Sequence, residues 1–299
     1  MAITLKNLDK TEHITGGTAM CSGCQALLAF RLALKILGKD TILVNPAGCL
    51  TLSALYPFTP YRVPWVHGAI ENTAAIATGI KMGLEAAGKK SIVIGQAGDG
   101  ATYDIGFQAL SGAAQRNEDI IYFCYNNSGY GNTGFQASGA TPFGSYTTTT
   151  PPGKEMPLGN ILPRKNMARI VAAHDVPYVA TACTGYEIDF LKKVETARDI
   201  KGFRYIEVLV PCTTGWGYAE EDSKQIGKEM VNLGLWPLYE IRDGKLTVTM
   251  RPRFGDIREH MRKQKRFKHL TDEQLSQVEA MVKKQWETLE SDFYHTKQY

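Results

Sequence analysis

The sequence predicts an α/β protein built on a doubly wound, mostly parallel sheet. Short apolar runs rich in β-branched residues alternate with longer amphipathic segments, and Gly, Asn or Pro stands at the junctions between them. No internal repeat or low-complexity tract interrupts this alternation. The chain has 299 residues, 43% of them hydrophobic and 21% charged, so it can bury a sizeable core.

The elements follow one another in the order that this fold requires. The predicted strands are Thr41–Val44, Ser91–Gly95, Asp119–Tyr125, Tyr178–Cys183 and Arg204–Val210. The predicted helices are Gln25–Leu37, Glu71–Ala86, Asp104–Arg116 and Tyr186–Arg198. Each helix joins neighbouring strands, which is the pattern of right-handed parallel crossovers. We therefore expect one α/β domain over residues 1–235.

Two segments depart from the alternation. Residues 128–164 are rich in Gly, Thr, Ser and Pro and follow no helical or strand period, and a loop this long in a compact domain is usually functional. Residues 236–299 begin with a predicted hairpin, YEIRDGKLTVT, with its turn at Asp243-Gly244. A basic segment and a predicted helix, Thr271–Ser291, follow. We expect residues 236–299 to form a C-terminal arm.

Charge and hydropathy exclude several classes of function. The net charge of +4 is small, and the basic residues 251–268 lack the interleaved aromatic residues of a nucleic-acid-binding arm, so we expect no nucleic acid partner. The N-terminus has no signal-peptide core, and no apolar run approaches the ~20 residues of a membrane span. The sequence thus predicts a cytoplasmic protein without a membrane contact.

The run Gly98-Asp99-Gly100 indicates a metal and phosphate site. It lies between a predicted strand and a helix, and the next strand ends in Asn126-Asn127, so Asp99 and Asn127 belong to the carboxyl edge of the sheet, where ligands of α/β proteins bind. Mg²⁺ prefers such oxygen ligands and shares them with phosphates. The carbonyl of Gly129 offers a third oxygen, and the amides around Gly98 and Gly100 favour a bound anion. The GDG run alone is more often an ordinary turn, but the whole strand–GDG–helix–strand–NN context favours the metal site.

Four of the six cysteines form a candidate metal set. In a reducing compartment, clustered cysteines are more often metal ligands than disulfides. A CxxC pair with two distant cysteines can hold Zn²⁺ or a [4Fe–4S] cluster, and the spacing does not discriminate between them. Cys124 and Cys183 lie inside apolar runs and are predicted core thiols. The candidate ligands are Cys21, Cys24, Cys49 and Cys212.

The GDG and NN runs resemble the cofactor motif of thiamine-diphosphate enzymes. Further segments, spread over most of the chain, point to a narrower family. They resemble β subunits of the 2-oxoacid:ferredoxin oxidoreductase family, above all those acting on pyruvate, and are CSGC, PWVHGAIEN, YGNTGFQ, PCTTGW and RFKHLT. The expected fold is therefore the diphosphate-binding fold of thiamine enzymes with an N-terminal cluster-binding excursion.

The resemblance assigns roles to the candidate residues. It implies thiamine diphosphate as the cofactor, with Asp99, Asn127 and Gly129 as Mg²⁺ ligands and the four candidate cysteines as ligands of a [4Fe–4S] cluster. Gly48, in the turn beside Cys49, is placed in the cofactor site. Asn132 would lie beside the thiazolium, where its amide could hydrogen-bond a 2-oxo oxygen as it gains negative charge. Without the resemblance, support of a turn is an equally good interpretation of Asn132.

The implied reaction is coenzyme-A-dependent oxidative decarboxylation of pyruvate, with electrons passing through the cluster to external ferredoxin. Branched-chain 2-oxoacids and oxalate are the alternative substrates. Thiamine activation needs a glutamate, and Glu71 is the nearest candidate, but its position favours stabilisation of a first helical turn. We therefore expect a pyrimidine-binding partner subunit that supplies the glutamate, and a ferredoxin-like subunit that accepts electrons. The rival hypotheses are a non-redox thiamine decarboxylase with structural zinc and a non-catalytic, metal-stabilised binding subunit.

Overall fold

A single eight-stranded sheet runs through the residues that the structure, a computed structural model, describes: 3–295, with side chains over 3–291. Its strands are β1 (Thr41–Pro46), β2 (Trp65–Gly68), β3 (Ile92–Gly98), β4 (Ile121–Asn126), β5 (Tyr178–Cys183), β6 (Arg204–Leu209), β7 (Leu238–Arg242) and β8 (Lys245–Met250). The order across the sheet is β2-β1-β3-β4-β6-β5-β7-β8. The first six strands in this order, from β2 to β5, are parallel to one another. The pairs β5–β7 and β7–β8 are antiparallel.

Helices cover both faces of the sheet. They are α1 (Gln25–Leu37), α2 (Thr73–Ala86), α3 (Phe107–Gln115), α4 (Met167–Ala172), α5 (Glu187–Asp199), α6 (Ser223–Asn232), α7 (Arg258–Arg262) and α8 (Asp272–His295). Helices α1 and α5 share one apolar cluster with the sheet, and α2, α3, α4 and α8 share another. The predicted doubly wound, mostly parallel α/β fold is confirmed.

The sequence explains the central elements directly. In α1, apolar residues recur at helical spacing, from Ala26 to Leu37, and this face is buried. The helix ends at Gly38, whose φ of +77° suits glycine. Every residue of β4 and β6 is buried, because helices cover both faces, and their sequences are accordingly near-continuous apolar runs.

The carboxyl-terminal elements are integrated into the domain. Strand β7 pairs with β5, and β8 pairs with β7, so the predicted hairpin forms the edge of the main sheet. In α8, Val282, Trp286 and Leu289 pack into the same apolar cluster as α2 and α3. The predicted arm over residues 236–299 is thus packed onto the α/β core through the part of the chain that the structure describes.

The sequence analysis missed some short elements. Strand β2 has four residues and α4 has six, lengths over which neither a period of two nor one of 3.6 can be recognised. Helix α6 was also missed, since its residues lie between the predicted cysteine turn and the hairpin. Among residues 3–295, no helix combines the length and apolar character that crossing a bilayer requires.

The topology creates a ligand site where the strand order reverses. From β1 the chain passes to β2 on one side and then to β3 on the other. Such a reversal leaves a crevice at the carboxyl ends of the strands. Asp99 directly follows β3, and Asn127 directly follows β4. These two strands are adjacent and parallel, with Gly98 opposite Tyr125, as the sequence predicts.

Candidate cofactor and metal site

Three oxygen atoms converge at the ends of β3 and β4. The side-chain oxygen of Asn127 lies 2.7 Å from the carbonyl oxygen of Gly129 and 3.0 Å from Oδ1 of Asp99. Oxygens this close repel one another unless a cation lies among them or the amide turns and donates two hydrogen bonds. Adjacent ligands of an octahedral Mg²⁺ are about 3 Å apart, since each Mg–O bond is about 2.1 Å long. The donor set therefore fits Mg²⁺ in both chemistry and spacing.

Asp99 is a buried carboxyl group that forms no ion pair with any residue of the described part of the chain. It is fully buried, and this desolvation raises its pKa to about 7. Two hydrogen bonds oppose the rise: the amide of Asn127 donates to Oδ1 at 3.1 Å, and the hydroxyl of Ser138 donates to Oδ2 at 2.5 Å. A bound divalent cation would supply the missing positive charge and favour the ionised carboxylate.

The glycines of the GDG run leave space for neighbouring aromatic side chains. Gly100 has φ −59° and ψ −42°, so it does not need the conformational freedom of glycine for a sharp turn. A Cβ at Gly100 would instead lie 2.4 Å from the ring of Tyr130, and one at Gly98 would lie 3.2 Å from the ring of Tyr125. After Gly100 the chain forms a π-helical turn, Ala101–Ile105, a geometry frequent at functional sites.

A cavity of about 190 Å³ opens beside the converging oxygens. The turns that follow β1, β3 and β4 contribute its walls. The predicted cofactor residue Gly48 belongs to the first turn, and the predicted substrate residue Asn132 belongs to the third, where it is exposed. The structure thus brings these predicted residues together around one cavity: Gly48, Cys49, Gly98, Gly100, Asn127, Gly129 and Asn132.

A buried polar network beneath the cavity joins the two halves of the motif. Glu207 of β6 accepts hydrogen bonds from Tyr103, in the π-helical turn, and from Asn126, at 2.7 Å. Asn126 in turn accepts a hydrogen bond from the amide of Ser128, which has a φ of +67°. Burial raises the pKa of Glu207. This network fixes the turn that carries Asn127 relative to the turn that carries Asp99.

The long loop over residues 128–164 closes over this edge of the sheet. Ser138 reaches Asp99, as described above, and Thr141 donates to the carbonyl oxygen of Ser128 at 2.8 Å. Tyr130 donates to the carbonyl oxygen of Gly100 at 3.1 Å. The loop is therefore held against the site by side-chain hydrogen bonds. Lys154, near its tip, is exposed.

The four candidate cysteines lie near one another at the same edge. Burial, together with charge repulsion from the three other candidate thiols and Asp99, raises the pKa of Cys49 to about 12. Burial and repulsion from Cys24 and Cys21 raise the pKa of Cys212 to about 11. These effects act between groups that lie near one another. Such thiols are protonated at neutral pH, and a bound metal centre would favour their ionised form.

Hydrogen bonds connect the thiols to the oxygen site. The amide of Gly215 donates to the sulfur of Cys212 at 3.2 Å, and the indole of Trp216 donates to the carbonyl oxygen of Asn127 at 2.7 Å. The side chain of Asn127 lies 3.9 Å from the sulfur of Cys49. Within residues 3–291, no three side chains among His, Cys, Asp and Glu are close enough to ligate one metal ion. Cys124 and Cys183 are buried in the core, away from this set, as the sequence predicts.

Sequence reasoning missed the residues that support the site from a distance. Ser138, Glu207 and Tyr103 carry no local motif, and each reaches the site only because the sheet brings distant segments together. The one available signal was Glu207, a carboxylate in the middle of a buried strand, RYIEVL. A carboxylate at such a position indicates a polar network, because a buried polar group needs hydrogen-bond partners.

Residues 46–208 match the family described as thiamine pyrophosphate enzyme, C-terminal TPP binding domain. The pyruvate synthase subunit PorB of Methanocaldococcus jannaschii is 47% identical over 283 residues, covering 91% of this chain and 95% of the relative. The chain belongs to this PorB family of thiamine-diphosphate-binding subunits.

Other members and neighbours agree with this assignment. PorB of Methanothermobacter marburgensis is 48% identical over 278 residues, covering 92% of this chain and 96% of the relative. The ketoisovalerate oxidoreductase subunit VorB of Pyrococcus furiosus is 39% identical over 288 residues, covering 93% and 92%. A solved 2-oxoglutarate:ferredoxin oxidoreductase from Magnetococcus marinus has a TM-score of 0.58 at 21% identity, covers 72% of each chain, and shares the fold. The matched family segment includes Asp99 and Asn127.

Proposed function

We propose that this PorB-family chain catalyses the oxidative decarboxylation of pyruvate within a heteromeric complex. Coenzyme A would accept the acyl group, and electrons would pass through a [4Fe–4S] cluster to ferredoxin. The observation that carries the proposal is the convergence of the oxygens of Asp99, Asn127 and Gly129 beside a cavity that the thiol of Cys49 also lines. This arrangement supports a cation and diphosphate site next to a thiolate metal site.

Specific roles follow from the positions of the residues. Asp99, Asn127 and the carbonyl of Gly129 would hold Mg²⁺, and Gly48, Gly98 and Gly100 would leave room for thiamine diphosphate. The cofactor supplies the carbon nucleophile and the electron sink that decarboxylation of a 2-oxoacid requires. The amide of Asn132, exposed on the cavity wall, would hydrogen-bond the 2-oxo oxygen of the substrate.

A [4Fe–4S] cluster suits the four candidate cysteines better than zinc does. Four thiolates around one Zn²⁺ lie only about 4 Å apart, because each Zn–S bond is about 2.3 Å long. A cluster is wider than a single ion, so its thiolates stand further apart. The four thiols lie near one another, and within residues 3–291 no three of them are close enough to hold a single ion, which supports the wider cluster. A non-redox enzyme with structural zinc is therefore the weaker hypothesis.

Pyruvate is the favoured substrate because three PorB relatives are 47–48% identical over most of the chain, although the two Pyrococcus PorB relatives are only 35–36% identical. The ketoisovalerate relatives, at 38–39% identity, make a branched-chain 2-oxoacid the second candidate. The cavity of this chain, about 190 Å³, is smaller than the ~300–1,000 Å³ of typical small-molecule sites. Residues of another subunit would complete it and select the substrate.

We propose two partner subunits and a cytoplasmic location. One partner would bind the aminopyrimidine ring and supply the activating glutamate. Tyr56 and Phe58, which follow the Cys49 turn in the sequence and are 97% and 76% exposed, offer such a partner an apolar surface. A ferredoxin-like subunit would carry electrons from the cluster to external ferredoxin. The cysteines form no disulfides, which suits a reducing cytoplasm.

The test is the metal content and activity of the complex purified without oxygen. We expect about four irons and four sulfides bound to this chain. We also expect faster coenzyme-A-dependent ferredoxin reduction with pyruvate than with 2-ketoisovalerate. The Cys24→Ser variant should lose the cluster, whereas Cys183→Ala, which alters a core thiol, should keep it. Stoichiometric zinc without sulfide, or reduction of ferredoxin that does not depend on a 2-oxoacid, would refute the proposal.

A further inference from the structure

Arg266 is a buried cation whose two terminal guanidinium nitrogens have no hydrogen-bond acceptor among the described residues. It lies between α7 and α8 and is 1% exposed. Its Nε donates to the side chain of Gln264 at 2.9 Å. Within the described part of the chain, Nη1 and Nη2 have no acceptor. A buried charge with unsatisfied N–H groups is costly, so its retention needs a compensating group.

The surroundings of Arg266 show which group that is. The guanidinium stacks on the indole of Trp216, 3.6 Å from the ring centroid, and Trp216 lies four residues beyond Cys212. Burial lowers the pKa of Arg266 to about 9, and charge interactions with Tyr218, Cys212 and Asp99 oppose this fall. Two of these three residues belong to the proposed metal sites. The stacking on Trp216, close in sequence to Cys212, and these interactions together indicate that Arg266 lies within electrostatic reach of the cysteine set and the oxygen site.

We propose that Arg266 is a positioning residue that raises the reduction potential of the cluster held by Cys21, Cys24, Cys49 and Cys212. This inference rests on the proposed function, since it concerns that cluster. A [4Fe–4S] centre with four thiolate ligands carries net negative charge. Each electron that it accepts from the oxidised substrate, and later passes to ferredoxin, changes this charge by one unit. A buried cation stabilises the more negative, reduced state.

Burial explains why one arginine has a measurable effect. In a buried environment the attraction between Arg266 and the cluster is weakly screened by water and salt. Removing the charge should therefore lower the ratio of reduced to oxidised cluster at a fixed potential on the order of tenfold, which is about 59 mV for one electron. Surface charges of the same basic segment are screened and should have much smaller effects.

The experiment is a redox titration of the anaerobically purified complex, followed by electron paramagnetic resonance. Arg266→Met and Arg266→Gln remove the charge, and Arg266→Lys keeps it. We expect a more negative midpoint potential in the first two variants and a nearly native one in Arg266→Lys. Lys268→Gln, which removes an exposed cation two residues away, is the matched control and should leave the potential unchanged. Any clusters of the partner subunits provide an internal reference.

The outcomes separate the inference from the proposed function. A normal cluster content with an unchanged potential in Arg266→Met and Arg266→Gln would refute the role of Arg266 and leave the proposed function standing. Absence of a cluster from the native chain would refute both. Loss of the cluster from all three Arg266 variants, Arg266→Lys included, would show that the residue serves packing, and it would also overturn the inference. Loss of the cluster from only Arg266→Met and Arg266→Gln would show that the cluster needs the positive charge at this position, and it would support the inference.

Discussion

Two aspartates at opposite ends of neighbouring strands have opposite electrostatic environments. Asp99 follows β3 at the carboxyl edge, and Asp119 precedes β4 at the amino edge. Burial acts to raise the pKa of both. At Asp119, ion pairs with Lys81 at 2.7 Å and Arg204 at 2.5 Å outweigh burial and hold the pKa at about 2. At Asp99, hydrogen bonds only partly oppose burial, and the pKa rises to about 7.

The comparison separates a structural carboxylate from a functional one. Asp119 joins α2, β4 and β6 through charges that the chain itself supplies. Asp99 is buried without an ion pair to such a cation, and this burial costs folding free energy. A carboxyl group of this kind is retained where a bound cation supplies the charge. The charge of Asp119 at the amino edge of the sheet is therefore balanced within this chain, whereas that of Asp99 at the carboxyl edge is the one that the proposed Mg²⁺ would balance.

The sharpest test of this contrast is Asp99→Asn. We expect a loss of activity of more than ~100-fold, because a neutral amide replaces the anionic Mg²⁺ ligand. The variant should melt at or above the temperature of the native chain, since a buried carboxyl group is removed. Activity assays and isothermal titration with thiamine diphosphate and Mg²⁺ measure the effect. Unchanged affinity for the pair would contradict the assignment of Asp99.

The matching change at the other edge is Asp119→Asn. It leaves Arg204, which is 95% buried, without its carboxylate, so we expect the free energy of unfolding to fall by about 2–3 kcal/mol. Affinity for thiamine diphosphate and Mg²⁺ should stay native. Urea unfolding and the same titration check both expectations. A stability close to that of the native protein would show that the ion pairs of Asp119 contribute little.

The contrast also predicts a dependence on pH. Because folding lowers the pKa of Asp119 from 3.8 to about 2, its ionised form stabilises the native state above about pH 4, and this stabilisation is lost as the pH falls towards 2. The gap in unfolding free energy between the native protein and Asp119→Asn should shrink by about 1–2 kcal/mol over that window. Glu12 and Glu229, whose pKa values are also about 2, are present in both proteins and cancel. A constant gap would contradict the expectation.

The smallest expected effect is that of Ser138→Ala. Removing the hydroxyl that donates to Oδ2 of Asp99 should weaken binding of Mg²⁺ and thiamine diphosphate about tenfold, because the carboxylate is less firmly oriented. Ser291→Ala, on the surface of α8, is the control and should bind normally. Isothermal titration compares the two variants. Equal affinities would show that Asp99 is oriented without Ser138.

Local pattern carried the prediction of the central elements and of the oxygen ligands. The apolar periodicity of α1 and the buried runs of β4 and β6 are properties of consecutive residues, so they can be recognised without tertiary contacts. Asp99 and Asn127 could be placed at one edge because each follows a strand directly. The outer elements β2 and α4 escaped, since their stability comes from neighbours in the fold.

The sequence by itself determined the fold class, and it predicted the candidate oxygen ligands and the candidate cysteines, because these depend on local pattern and residue chemistry. Only the tertiary structure decided the electrostatics of the site. Whether a buried charge finds a partner depends on residues far apart in the chain. Examples are the hydrogen bonds of Ser138 with Asp99 and of Asn126 with Glu207, and the charge interaction of Arg266 with Cys212. Charge interactions act through space, so no local pattern of residues records them.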